Sequence, residues 1–126
     1  MNADLTISTL AYKMRYSDQT GSERREVSRG ATLPTNLLIK NQAYVDSATK
    51  LAGTRTLVRF DHHMAISSGI IVPAASLYLV SARLNDPLVT ASIIESLEAQ
   101  MVNLLHGTSN TNGLDLVTEI LVNGEQ

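Results

Sequence analysis

The chain has 126 residues, 44% hydrophobic and 17% charged, which fits one domain with one core. It has no cysteine, which excludes a disulfide framework and thiolate chemistry and fits a reducing compartment. The net charge of −2 conceals a polar molecule: residues 1–85 hold ten basic against six acidic residues, net +4, and residues 86–126 hold six acids and no base, net −6.

Such a split predicts one surface that meets polyanions and another that faces away from them. Phe60 and four tyrosines are the only aromatics, so the core is aliphatic. No apolar run reaches the length of a membrane span, and the segment MNADLTIST lacks signal-peptide character. Export by a standard signal and contact with a membrane are therefore not expected.

Residues 4–16 read as a strand. Leu5, Ile7 and Thr9 alternate, and then Leu10, Tyr12, Met14 and Tyr16 continue in the opposite phase. A one-residue phase switch predicts a bulge or a change of environment. Residues 17–22 are a turn cluster, and residues 23–29 (ERREVSR) read as an exposed edge strand whose charges discourage pairing. A loop over 30–34 follows.

Residues 36–48 and 55–63 read as two strands of a hairpin, with a turn over 49–54 that includes Gly53. Alternation puts Leu37, Ile39, Asn41, Ala43 and Val45 on one face of the first strand. It puts Leu38, Lys40, Gln42, Tyr44 and Asp46 on the other. In the second strand Thr56, Val58, Phe60 and His62 share a face, opposite Arg55, Leu57, Arg59, Asp61 and His63. The hairpin thus has one apolar face and one polar, net basic face.

Residues 64–76 read as a loop flanked by strand ends, and residues 77–84 as a further strand. Asn85-Asp86-Pro87 is a helix-start signal, and Ser92 with Glu95 is a competing capping box. Ile93, Ile94, Leu97, Met101, Leu104 and Leu105 follow at helical spacing up to Gly107. A polar linker over 108–113 precedes a short second helix over 114–121. The expected fold is α+β: antiparallel strands, as an N-terminal hairpin and a larger sheet, followed by two C-terminal helices.

Order, length and charge layout together resemble the coat proteins of single-stranded RNA bacteriophages, the levivirus-like group. Three segments carry the resemblance. Gly69-Ile70-Ile71-Val72-Pro73-Ala74-Ala75-Ser76-Leu77-Tyr78-Leu79 is similar to the family's loop and following strand. Arg55-Thr56-Leu57-Val58-Arg59-Phe60-Asp61 is similar to its central strand. The run from Ile94 to Gly107 is similar to its first C-terminal helix.

The resemblance implies an interlocked homodimer, in which two sheets join side by side and each protomer's helices lie across its partner. It implies an icosahedral shell around single-stranded viral RNA, location in the virion, and assembly in the bacterial host cytoplasm. It further implies that the exposed sheet face binds RNA, including a hairpin at the replicase start whose occupation represses replicase translation. By position, Lys40, Gln42, Tyr44, Arg55 and Arg59 match the RNA-facing set, and Tyr78 matches a base-stacking tyrosine. The chain departs from the pattern at Leu57, Val80 and Ala82, where that face is apolar. Gly69, Ile70, Ile71 and Pro73 fall in the loop expected to govern assembly.

The residues alone leave other readings open. Lys40, Arg55 and Arg59 also read as a solubilising face, Tyr44 and Tyr78 as packing residues, and Pro73 as an ordinary loop proline. His62 and His63 point to opposite faces of a strand and do not share a metal ion easily. No catalytic arrangement, phosphate loop or cofactor motif stands out, so neither an enzyme nor a cofactor is expected. A dimeric RNA-binding regulator that never assembles, and a small α+β enzyme, are the alternatives to a shell protein.

Overall fold

The computed structural model describes residues 4–106 and 117–124. The chain divides into two compact units, Met1–Asn85 and Asp86–Gln126.

The first unit is a six-stranded antiparallel sheet. Its strands are β1 Leu5–Ile7, β2 Leu10–Ser17, β3 Gly21–Glu26, β4 Thr35–Val45, β5 Ala52–Ala65 and β6 Ile71–Leu84. They lie side by side in chain order, so every connection is a hairpin and no crossover is needed. The second unit holds α1, Ala91–His106, and a short π-helical segment, Val117–Val122. The expected linker and the start of the second helix lie outside the described residues.

The phase switch in residues 4–16 is a reversal of the chain. Ser8 and Thr9 take φ values of 50° and 68°, and Ile7 pairs with Leu10 across them. Two consecutive positive φ values make the tight hairpin turn that matches strand twist. Glycine and asparagine usually supply them, so the turn carried no sequence signal. A register shift between Met14 and Tyr16 adds a bulge at Arg15.

The edge-strand reading of 23–29 is corrected. β3 lies inside the sheet, between β2 and β4, and buries Ser22, Arg24 and Glu26. Arg24 is 0% exposed. Its register neighbours are Met14 and Leu37, and its guanidinium donates to the Ser22 hydroxyl at 2.9 Å. The aliphatic stem packs while the charged end stays hydrogen-bonded, which is how an arginine enters a core.

The sheet curls. Tyr12 on β2 meets Phe60 on β5 edge to face, with ring centroids 5.8 Å apart, although β3 and β4 lie between them. In a flat sheet three strand spacings would separate them by about 14 Å. The curl brings the N-terminal hairpin over Leu37 and Phe60, and among the described residues Tyr12 and Leu37 are buried there, 5% and 2% exposed.

Three boundaries differ from expectation. β4 ends at Val45, where Asp46 accepts hydrogen bonds from the Thr49 N–H (2.8 Å) and hydroxyl (2.7 Å) and closes the turn early. Gly53 therefore lies inside β5 rather than in the turn. Residues 64–76 are mostly strand: only Ile66–Ile70 turns, with Gly69 at φ 85°. Ile71 and Pro73 belong to β6, and Pro73 sits at a register shift on this edge strand. An edge position with a broken ladder tolerates a missing N–H. Finally, Asp86 closes a local turn with Leu88 (2.8 Å) and Val89 (3.0 Å), and the helix starts later, at Ala91.

Candidate nucleic-acid interface

The basic face follows from two facts: period-2 alternation and the register between strands. Lys40 pairs with Leu57, Gln42 with Arg55, Tyr44 with Gly53 and Leu38 with Arg59. Across β5, Arg55 pairs with Ala82, Leu57 with Val80 and Arg59 with Tyr78. Directly paired residues point to the same side of a sheet. Lys40, Gln42, Tyr44, Arg55, Arg59 and Tyr78 therefore share one face, together with the apolar Leu57, Val80 and Ala82. The opposite face carries Leu37, Val58 and Phe60.

Within that face the six residues are not equivalent. Arg55 lies over Tyr44, with Cζ 4.8 Å from the ring centroid, a cation–π contact. The Tyr44 ring rests against Gly53, whose missing side chain makes room for it: a β-carbon there would lie 2.6 Å from the ring. Lys40 extends past Gly21, its register neighbour on β3, and is exposed. Tyr78 is 63% exposed opposite Arg59.

Arg59 is different, because its charge is already answered. Its Nε donates to Asp61 Oδ2 at 2.9 Å, and the Ser76 hydroxyl donates to Asp61 Oδ1 at 2.5 Å. Alternation in the sequence had placed Asp61 on this face, but its pairing with Arg59 went unread. Lys13, Arg15 and Arg25 were also missed. Their register places Lys13 and Arg25 on this same side. Lys13 pairs with Asp4 at 3.5 Å, Arg15 with Glu23 at 3.5 Å, and Arg25 donates to the Asn36 amide oxygen at 3.1 Å. Among the described residues, Lys40 and Arg55 take no part in an ion pair.

The turns that border the face are held by carboxylates. Asp18 is kept below its ordinary pKa by the Thr20 hydroxyl and by the N–H groups of Thr20 and Gly21. Asp46 is lowered likewise by the Thr49 hydroxyl and N–H. Both stay ionised to lower pH because the hydrogen bonds favour the charged form. On the opposite face burial raises the Tyr12 phenol, and Glu26 adds to the effect.

His62 and His63 do not converge. His62 Nδ1 lies 3.1 Å from the Arg29 guanidinium and 3.2 Å from the Thr35 hydroxyl, while His63 Nδ1 lies 3.2 Å from the Pro34 carbonyl. Among the described residues no three histidine, aspartate or glutamate side chains gather as a metal site. No described helix is long and apolar enough to cross a membrane. The loop set is divided: Gly69 and Ile70 sit in the Ile66–Ile70 turn, Ile71 and Pro73 on the adjoining strand. Met64, Ile66, Ile70 and Ile71 are all exposed there, Ile70 by 60%.

No protein-family model matches the chain, and no curated protein matches it in sequence. Among solved structures it is similar to a chain of the virus-like particle of Beihai levi-like virus 21. The TM-score is 0.54 at 8% identity, covering 100% of this chain and 97% of that one. A chain of the virus-like particle of bacteriophage AVE019 gives a TM-score of 0.49 at 12% identity, covering 97% and 93%. The first likeness is one of fold: this chain's six-stranded antiparallel sheet and C-terminal helix match the fold of a chain that belongs to a virus-like particle. This is the α+β fold expected from the order of strands and helices in the sequence.

Proposed function

We infer that the chain is a coat protein that dimerises, assembles into a closed icosahedral shell and packages single-stranded RNA. The observation that carries the reading is β6. It is a 14-residue strand at the edge of the sheet, with Leu77, Tyr78, Leu79 and Val80 exposed on both of its faces. A long, apolar, unprotected edge is a pairing site, and a protein that left it bare would aggregate. Pairing two β6 strands across a two-fold axis joins two sheets into one and removes both edges. The neighbour that shares the fold forms a virus-like particle, which supports assembly beyond the dimer.

RNA packaging rests on charge. The sheet unit is basic and the helical unit acidic, and Lys40 and Arg55 lie on the face away from Phe60 outside the ion pairs of the described residues. Lysine and arginine neutralise phosphates without reading sequence, as packaging requires. Repression of replicase translation through a hairpin is the finer form of this reading, with Tyr78 as a base-stacking residue. Location in the virion and assembly in the host cytoplasm follow from it, with no cofactor, catalytic or metal site involved. Sedimentation of the purified protein tests the dimer: stable dimers and large particles are expected, and a folded monomer at micromolar concentration overturns the reading.

A further inference from the structure

Tyr44 is the residue that alternation offers as a stacking platform for a base, yet its ring is already engaged. Gly53 backs it so closely that a β-carbon would lie 2.6 Å from Cε1 and 2.7 Å from Cζ. The Arg55 guanidinium lies over it at 4.8 Å. Arg55 itself is exposed, and its register partners Gln42 and Ala82 are both uncharged. Ala82 presents only a methyl group beside it. Among the described residues no carboxylate pairs with Arg55.

We propose that Arg55, seated on Tyr44, is the stacking surface for one unpaired nucleotide of single-stranded RNA, with Gln42 reading the base edge and Lys40 taking the neighbouring phosphate. This rests on the reading of the sheet face as an RNA surface. A guanidinium is planar and weakly hydrated, so one face packs on a tyrosine while the other accepts a base. Its positive charge also draws the phosphodiester chain, which a tyrosine platform alone does not do. Gln42 stands directly opposite Arg55, with an amide that both donates and accepts. Lys40 lies two residues along the same strand and on the same face, within reach of the same nucleotide's backbone. Tyr44 is a positioning residue here: it fixes the plane of the guanidinium and does not meet the base.

The test compares a short oligoadenylate with an abasic ribose-phosphate oligomer of equal length, titrated against the purified protein at several salt concentrations. The wild type should bind the oligoadenylate about tenfold more tightly, the scale of one stacked base. Arg55→Lys keeps the charge and removes the plane. It should leave abasic binding and the salt slope unchanged and abolish the oligoadenylate advantage. Tyr44→Phe should keep the advantage, and Tyr44→Leu should reduce it by unseating Arg55. If Arg55→Lys keeps or enlarges the advantage, bases stack on an uncovered Tyr44 or elsewhere, and the proposal is wrong while the RNA surface stands. If the wild type binds both probes equally, no base is stacked and the proposal again fails alone. If the wild type binds neither probe, the RNA surface itself falls.

Discussion

Tyr12 and Phe60 pack edge to face with ring centroids 5.8 Å apart although two strands lie between them, so the sheet curls where they meet. The pair lies on the sheet face that buries Leu37, opposite the face that carries Lys40 and Arg55. An edge-to-face pair of this kind contributes roughly 0.5–1.5 kcal/mol beyond the area it buries. A double-mutant cycle with Tyr12→Leu and Phe60→Leu, followed by urea denaturation, should give a coupling of that size. Additive single effects would mean that the curl does not depend on this contact.

The Arg59–Asp61 pair makes a second prediction. Asp61→Asn frees Arg59, so RNA affinity should rise and the log–log salt slope should steepen by about one unit. In the unaltered chain, Lys40→Ala should weaken RNA binding more than Arg59→Ala does. Equal losses from the two alanine variants would show that Asp61 does not hold Arg59 back. Glu95→Ala, on α1, serves as the control and should change neither quantity.

The basic face was legible because β4 and β5 alternate cleanly and pair in the register that alternation implies. What escaped was local. Ser8 and Thr9 make a turn with residues that rarely adopt positive φ, so a hairpin read as one strand. Arg24 lies on the face of β3 that the curl buries, and a charged residue gives no sign of being packed by its stem. The first half of β6 was hidden by Pro73 and small residues, which an edge strand tolerates. Asp61 was seen on the correct face, but alternation gives position without partners.

The exposed turn between β5 and β6 gives a third prediction. Ile70 and Ile71 present apolar side chains next to Gly69, a surface suited to contact between subunits. Replacing both by serine should leave soluble dimers with unchanged melting, and reduce or alter particles. Particles of normal size and heat resistance would remove the loop and its neighbour Pro73 from assembly.

Acid should loosen the turns. Asp46 has a folded pKa below its ordinary value, so its contribution is present above about pH 4 and is lost as pH falls through the folded value. Thermal melts between pH 5 and pH 2 should therefore fall less steeply for Asp46→Asn than for the wild type. Asparagine still accepts from Thr49 but carries no charge to lose. Parallel curves for the two proteins would show that this carboxylate does not govern the acid limb.

Assembly around RNA is tested most directly by electron microscopy of the purified protein after nuclease treatment, with the protected nucleic acid measured in the same particles. Closed shells containing nuclease-resistant single-stranded RNA, lost when Lys40 and Arg55 are both replaced by alanine while the dimer persists, are the expected result. Folded protein that forms no closed particle with or without added RNA would contradict it.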